Sequence, residues 1–179
     1  MAGSAGHLPA RRAGGVEWCW RGTQWRKVGP LPTSNSLFLG EFEHSIDDKG
    51  RLSVPARFRP ALDAGLVITR GLDRCLVIWD VDSWRGMAER IRALNTWQGD
   101  ARRMQRHFFS GAVPAQPDKL GRVVIPQYLR AYAQLETDVV VVGLADRIEV
   151  WSRAEWQRER QEAERDSAEL AEHLARGAD

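Results

Sequence analysis

Apolar and polar residues alternate between Phe38 and Ile46, and this period of two predicts a β-strand. The next four residues, Asp47-Asp48-Lys49-Gly50, are typical of a tight turn. After them, Arg51-Leu52-Ser53-Val54 resumes the strand pattern. The sequence therefore predicts a β-hairpin whose tip is the segment DDKG.

A short helix, a second hairpin and a longer helix are predicted after this first hairpin. A proline precedes the helical segment Ala56 to Leu62 and suits the first position of a helix. The β-rich runs Leu66 to Thr69 and Cys75 to Trp79 predict the second hairpin. Asp82 is predicted to cap a helix that begins at Ser83 and carries an apolar stripe on one face.

The same pattern then occurs a second time along the chain. A spacing of 71 residues aligns Asp47 with Asp118, Gly50 with Gly121, Arg51 with Arg122, Pro55 with Pro126 and Arg59 with Arg130. With one inserted residue, the tryptophans of the two copies also align, and Ser152 to Glu155 form a capping box before a closing helix. Nearly everything after residue 37 is therefore a tandem duplication, which predicts the α+β class.

This repeat divides the chain into three parts. Residues 1–36 are rich in Gly, Arg and Trp, lack strand or helix periodicity, and end in the run GPLPTSNS, so we expect a disordered extension. The first β-hairpin and helix module is expected to span residues 37–97, and the second, with the closing helix, residues 98–179.

Composition excludes several classes of protein. No apolar run approaches the roughly 18 residues of a membrane span, and we expect a cytoplasmic protein. The two cysteines, Cys19 and Cys75, are too few for a disulfide framework, and the four histidines are scattered. No nucleophile, phosphate-binding or zinc motif is present, so we predict no enzyme, no cofactor and no metal site. An excess of arginine between residues 85 and 106 permits a polyanionic partner.

The repeated turn carries one residue that folding alone does not require. Glycine supplies the positive φ of a tight turn, aspartate accepts hydrogen bonds from turn N–H groups, and proline begins the next helix. Arg51 and Arg122 remain. Each arginine can lock its turn by pairing with Asp47 or Asp118, or can contact phosphate or guanine with its outer edge. The two interpretations are compatible with each other.

The segments FLGEFEHSIDDKGRLSVPARFR, DKLGRVVIPQYLR and VWSRAEW resemble the MraZ family of bacterial regulators, which is similar in turn to the AbrB-like swapped-hairpin DNA-binding proteins. The resemblance covers about residues 37–170. It implies that the two modules interlock their hairpins into a double-split β-barrel with peripheral helices. It also implies a ring-shaped homo-oligomer on the nucleoid that binds repeated G-rich boxes upstream of its own division and cell-wall operon, as a repressor.

Carried over residue by residue, the DNA-contacting positions implied by the resemblance are Asp47, Lys49, Arg51, Asp118 and Arg122. The second turn has Leu120 where the first has Lys49, which predicts a weaker phosphate contact there. The family pattern begins with Met directly before Phe-x-Gly, at the place of Leu37 here, so residues 1–36 are alternatively expected to be a mis-annotated extension. An oligomeric assembly protein that uses the modules only for protein contacts is the alternative function.

Overall fold

The computed structural model describes the backbone of residues 11–13, 16–21, 24–28 and 37–176, with side chains from residue 37 to 175 except at 170 and 174. Two units are present, residues 1–35 and residues 36–179. In the first unit, β1 (Arg11–Ala13), β2 (Val16–Arg21) and β3 (Gln24–Val28) form an antiparallel sheet in that order. The rest of residues 1–36 lies outside the described residues, and the expected extension stays a prediction.

The second unit contains both copies of the repeat. The first copy comprises β4 (Phe38–Ser45), β5 (Arg51–Ser53), a 3₁₀ turn (Ala56–Phe58), α1 (Arg59–Leu62), β6 (Leu66–Arg70), β7 (Leu76–Asp80) and α2 (Val81–Arg92). Helix α3 (Gly99–Gly111) follows. The second copy comprises β8 (Val113–Ala115), β9 (Arg122–Val124), α4 (Gln127–Tyr132), β10 (Asp138–Ala145), β11 (Ile148–Ser152) and α5 (Arg153–Arg176).

The strands of the two copies are exchanged. An antiparallel six-stranded sheet has the order β4-β10-β11-β7-β6-β8, and a separate ladder pairs β5 with β9. Since β4, β5, β6 and β7 correspond to β8, β9, β10 and β11 in the repeat, the sheet order is the same when it is read from either edge. The predicted first hairpin keeps its turn, with a single bridge between Ile46 and Leu52. Its two strands otherwise pair with the second copy.

The α+β class and the tandem modules are thus confirmed. The predicted division between residues 97 and 98 stays a prediction, and α3, which begins two residues later, was not predicted as a helix. Its first residues are polar and glycine-containing, which hides a helix whose buried side consists of Ala101, Phe108 and Gly111. No helix in the described parts of the chain is long and apolar enough to cross a membrane.

The central sheet separates two hydrophobic layers because strand residues alternate between its faces. Leu76 and Ile78 belong to the larger core, which also contains Leu52 and Val123 of the β5–β9 ladder. Val77 and Trp79 belong to the second layer, where side chains of α2 and α5, Trp84, Met87 and Trp156, pack against the sheet. The ladder and the helices α2 and α5 therefore lie on opposite faces of the sheet.

The start of α2 differs from the prediction. Asp80, rather than Asp82, is the N-cap, and its Oδ1 accepts hydrogen bonds from the backbone N–H groups of Asp82 and Ser83 at 3.0 and 2.9 Å. Asp80 is 6% exposed, and its Oδ2 accepts a further bond from Ser83 Oγ at 2.8 Å. The prediction was wrong by two residues because two aspartates flank Val81, and either spacing fits a capped helix. The predicted cap at Ser152 is confirmed by its bond with the N–H of Glu155 at 3.3 Å.

Candidate nucleic-acid interface

The ladder formed by β5 and β9 presents one buried and one outer face. Leu52 pairs with Val123, and these side chains are 0% and 1% exposed. The residues on either side of them point the other way, since neighbouring strand residues alternate. This outer face is formed by Arg51, Ser53, Arg122 and Val124, and we call it the outer ladder face.

Arg51 and Arg122 are diagonal neighbours on the outer ladder face. Arg51 lies opposite Val124, and Arg122 lies opposite Ser53. Diagonal neighbours of an antiparallel pair are about 7–8 Å apart. Two arginines that are 71 positions apart in the sequence therefore form one cationic surface, which the sequence repeat alone did not reveal.

The first turn holds Arg51 by both oxygens of one carboxylate. Asp47 Oδ1 accepts hydrogen bonds from the backbone N–H groups of Lys49 at 3.0 Å and Arg51 at 2.9 Å. Asp47 Oδ2 accepts from Arg51 Nε and contacts Nη2, both at 2.7 Å. Gly50, at φ +73°, closes the turn by donating its N–H to the Asp47 carbonyl at 2.9 Å. The sequence-based ion pair is thus present.

The second turn repeats this geometry. Asp118 Oδ1 accepts from the N–H groups of Leu120 at 2.8 Å and Arg122 at 2.9 Å. Asp118 Oδ2 accepts from Arg122 Nε at 2.9 Å and contacts Nη2 at 2.7 Å. The backbone joins the two turns symmetrically: the Gly50 carbonyl accepts from Ile125 N–H, and the Gly121 carbonyl accepts from Val54 N–H.

Both carboxyl groups are more acidic than usual. A side-chain hydrogen bond from Arg122, supported by backbone N–H groups, lowers the pKa of Asp118 to about 2. The backbone hydrogen bond from Arg51, followed by the Arg51 side chain, lowers the pKa of Asp47. Both aspartates are consequently ionised at neutral pH, and each arginine is held in one orientation.

The arginine pairs leave donors for another ligand. Within the described residues, Nη1 of Arg51 and Nη1 of Arg122 make no hydrogen bond, and the two side chains keep 27% and 30% of their surface exposed. A guanidinium that binds a carboxylate through one edge can bind phosphate or guanine through its other edge. The turn-locking interpretation and the ligand-binding interpretation therefore hold together.

Arg59 and Arg130 support the turns, and they were not predicted as site residues. Arg59 Nε donates to the Val54 carbonyl at 2.9 Å, and Arg130 Nε donates to the Ile125 carbonyl at 3.2 Å. Each side chain lies against the turn glycine of the other module, Arg130 against Gly50 and Arg59 against Gly121. The signal was their shared spacing of 71 residues, but the contact across modules requires the exchanged strands.

The tips of the two turns differ in charge. Lys49 and Lys119 are exposed, as is Leu120, with 61% of its surface accessible at the place that corresponds to Lys49. The predicted site residues Asp47, Lys49, Arg51, Asp118 and Arg122 therefore all belong to one region, centred on the ladder. Across the described residues, no group of three or more His, Cys, Asp or Glu side chains could hold a metal ion.

Strand exchange between two copies of one module, with a turn arginine from each copy on a shared ladder, defines a tandem swapped-hairpin repeat protein. Residues 37–107 and residues 108–178 each match the family described as "MraZ protein, putative antitoxin-like". The chain belongs to the MraZ family, and the resemblance inferred from its motifs is confirmed.

Curated relatives align over most of this chain and nearly all of their own length. A protein of Desulfitobacterium hafniense is 48% identical over 138 residues, which are 77% of this chain and 96% of that protein. A protein of Desulforamulus reducens is 44% identical over 138 residues, with 77% and 97% covered. A protein of Moorella thermoacetica is 45% identical, with 77% and 96% covered. Each is named "Transcriptional regulator MraZ".

Proposed function

We propose that this protein is a DNA-binding transcriptional regulator that contacts double-stranded DNA through the outer ladder face. The observation that carries this proposal is the pair Arg51 and Arg122, two oriented guanidinium groups that share one exposed surface and retain free donors. The names of the curated relatives support the same function. The proposal assigns no catalytic reaction to the protein.

Sequence preference comes from the fixed orientation of the two arginines. A guanidinium that presents two parallel N–H donors matches O6 and N7 of guanine, and a good bidentate contact contributes about 1–3 kcal/mol of discrimination between bases. Lys49 and Lys119 supply charge for phosphate, which positions the protein without reading bases. This chemistry agrees with the repeated G-rich boxes upstream of the protein's own division and cell-wall gene cluster that the family resemblance implies.

Repression follows from occupancy of such boxes in the protein's own promoter. One chain offers few cationic contacts, so we infer that a homo-oligomer, a ring on the nucleoid, repeats the outer ladder face along the DNA. Linked weak contacts then raise the affinity through effective concentration. A single subunit with only a few phosphate contacts would lose most of its affinity at physiological salt.

A gel shift with the protein's own upstream region tests the proposal. We expect Arg51→Ala to lose specific binding by at least about tenfold, since it removes a bidentate donor. Arg122→Ala is expected to weaken binding less, because its turn lacks the lysine found at position 49. Arg85→Ala is the matched control: it removes the same charge from an exposed arginine of α2, on the opposite face of the sheet.

The same titration separates a DNA regulator from an assembly protein. We expect a steep fall of affinity with salt concentration, with a log–log slope that decreases by about 0.9 for each phosphate contact removed. Wild-type affinity of folded Arg51→Ala and Arg122→Ala at matched salt would show that the arginines only lock the turns. Equal binding of upstream and scrambled DNA would favour the assembly protein.

A further inference from the structure

A cationic surface with an exposed tryptophan occupies the junction of α2 and α3. Residues 90–106 contain five arginines, Arg90, Arg92, Arg102, Arg103 and Arg106, and one acidic residue, Asp100. Trp97, in the turn between the two helices, is 91% exposed. We call this region the arginine surface. Exposed tryptophan surrounded by arginine is the composition of a protein-binding hot spot rather than of an ordinary solvated face.

Part of the arginine surface has a structural role. Arg102 Nη1 donates to the carbonyls of Thr96 at 2.8 Å and Trp97 at 2.9 Å, and so holds the turn between the helices. Arg103 pairs with Asp100 at 3.1 Å. Arg90, Arg92 and Arg106 are exposed, and within the described residues they make no hydrogen bond or ion pair. These three cations are available to a partner.

The far end of α5 has the opposite charge. Residues 162–172 contain five acidic residues, Glu162, Glu164, Asp166, Glu169 and Glu172, and one arginine, Arg165. We call this segment the acidic end. Its ratio of five acids to one arginine is the reverse of the ratio on the arginine surface, so the two regions are complementary in charge.

The acidic end extends beyond the sheet on which α5 packs. Trp156 contacts the sheet layer, and a helix of 24 residues is about 36 Å long. After Ser167, the described side chains of α5 are exposed. A helical end without tertiary packing is marginally stable, since most helical stability in proteins comes from burying one face. A docked partner would stabilise it.

The topology separates the two regions within one chain. β7 and β11 are antiparallel neighbours, and α2 and α5 follow them directly. The two helices therefore start from opposite ends of this strand pair, and both pack on the sheet face away from the outer ladder face. The far end of α2 and the far end of α5 consequently lie toward opposite ends of that face. DNA held on the outer ladder face would approach the other side of the sheet.

We propose that the arginine surface of one copy of this protein binds the acidic end of α5 from a second copy. The contact joins two different surfaces, so it is heterologous and repeats from subunit to subunit, closing into a ring where the rotation permits. Trp97 supplies the apolar centre, and the ion pairs around it set register and partner choice. This inference names the contact that builds the oligomer of the proposed function, and it rests on that oligomer but not on DNA binding.

Charge reversal tests this contact in the full-length protein without DNA. R90E/R106E reverses the arginine surface, and E162R/E169R reverses the acidic end; all four positions are exposed. By light scattering after size exclusion, we expect the wild type to be oligomeric and each variant to have the mass of one chain. An equimolar mixture of the two variants should recover the wild-type mass, because in a head-to-tail contact each reversed surface then meets its complement on the other variant.

The control is R85E/R158E, which reverses two exposed arginines outside both regions and is expected to keep the wild-type mass. Thermal melts check that all variants fold. A wild type with the mass of one chain, unchanged assembly of either variant, or a mixture that stays dissociated would each overturn the inference. So would R90E/R106E that weakens DNA binding while its assembly stays intact, since the arginines would then contact nucleic acid. Failure of the DNA proposal would appear only in the gel shifts of the Arg51 and Arg122 variants.

Discussion

The side chain of Arg59 lies against Gly121, a residue of the other module, so closely that a β-carbon on that glycine would collide with Arg59 Nε. The symmetric contact is looser, with the place of a Gly50 β-carbon 3.2 Å from the Arg130 guanidinium. Each glycine thus has two functions. It adopts the left-handed backbone of its turn, and it leaves room for the arginine that joins the two modules.

Gly121→Ala is expected to destabilise the fold and the DNA-binding surface together. The left-handed conformation at φ +74° costs an alanine about 1–2 kcal/mol, and Arg59 must also move. Urea denaturation gives the change in the free energy of unfolding. Gly86→Ala is the matched control, because Gly86 lies in helix α2 with no atom within 4 Å of its place for a β-carbon. That variant should be more stable by about 0.5–1 kcal/mol. A stable Gly121→Ala would contradict this account.

Removal of the α2 cap distinguishes the two candidate aspartates. Asp80→Ala should lower the free energy of unfolding by about 1–2 kcal/mol, since it leaves the N–H groups of Asp82 and Ser83 without their acceptor. Asp82→Ala is expected to change stability by less than about 0.5 kcal/mol, because its carboxylate pairs only with exposed Arg85. Equal effects in chemical denaturation would argue against Asp80 as the cap.

The acidity of Asp118 depends on Arg122. Its folded pKa is about 2 and the ordinary value is about 3.9, so the folded state favours the carboxylate. The stabilisation is therefore complete above about pH 4 and is lost as the pH falls toward 2. Carbon-detected NMR of the carboxyl group should give a midpoint near 2 for the wild type. In Arg122→Ala the midpoint should rise, because the side-chain hydrogen bond and the charge of the arginine are gone; an unchanged midpoint would mean that the backbone N–H groups alone set it.

Val124 provides a test of the outer ladder face that leaves the arginines intact. It lies opposite Arg51, and 57% of its surface is exposed. Val124→Glu places a carboxylate about 5 Å from the arginine, where it should neutralise the cationic surface and weaken DNA binding at least tenfold. Val124→Lys is the control, with similar size and opposite charge, and should bind at least as tightly as the wild type. If both variants bind equally, the DNA does not approach this face.

The local elements were predictable because each follows from a short pattern. The turn chemistry of DDKG, the β-rich runs around Ile68 and Ile78, and the cap at Ser152 all depend on neighbours in the sequence. The exchange of strands was expected only through the family resemblance, since the alternation from Phe38 fits a simple hairpin equally well. Pairing partners depend on long-range packing, which periodicity does not encode.

The site was predicted in its residues but not in its arrangement. Repetition singled out Arg51 and Arg122, yet two separate hairpin tips would have placed them far apart. Their proximity results from β5 and β9 pairing with each other, and the support from Arg59 and Arg130 has the same origin. Helix α3 lacked a signal because its polar and glycine residues obscure the buried positions.

A chain with only one of these modules could form the β5–β9 ladder only by finding a second chain. Joining the two copies covalently makes the ladder independent of protein concentration. It also allows the halves to diverge, since a substitution in one copy is no longer imposed on the other. Lys49 and Leu120, equivalent positions with different side chains, show this freedom: a single-copy dimer would have two lysines there or none. The duplicated chain can therefore have direction along an asymmetric DNA site.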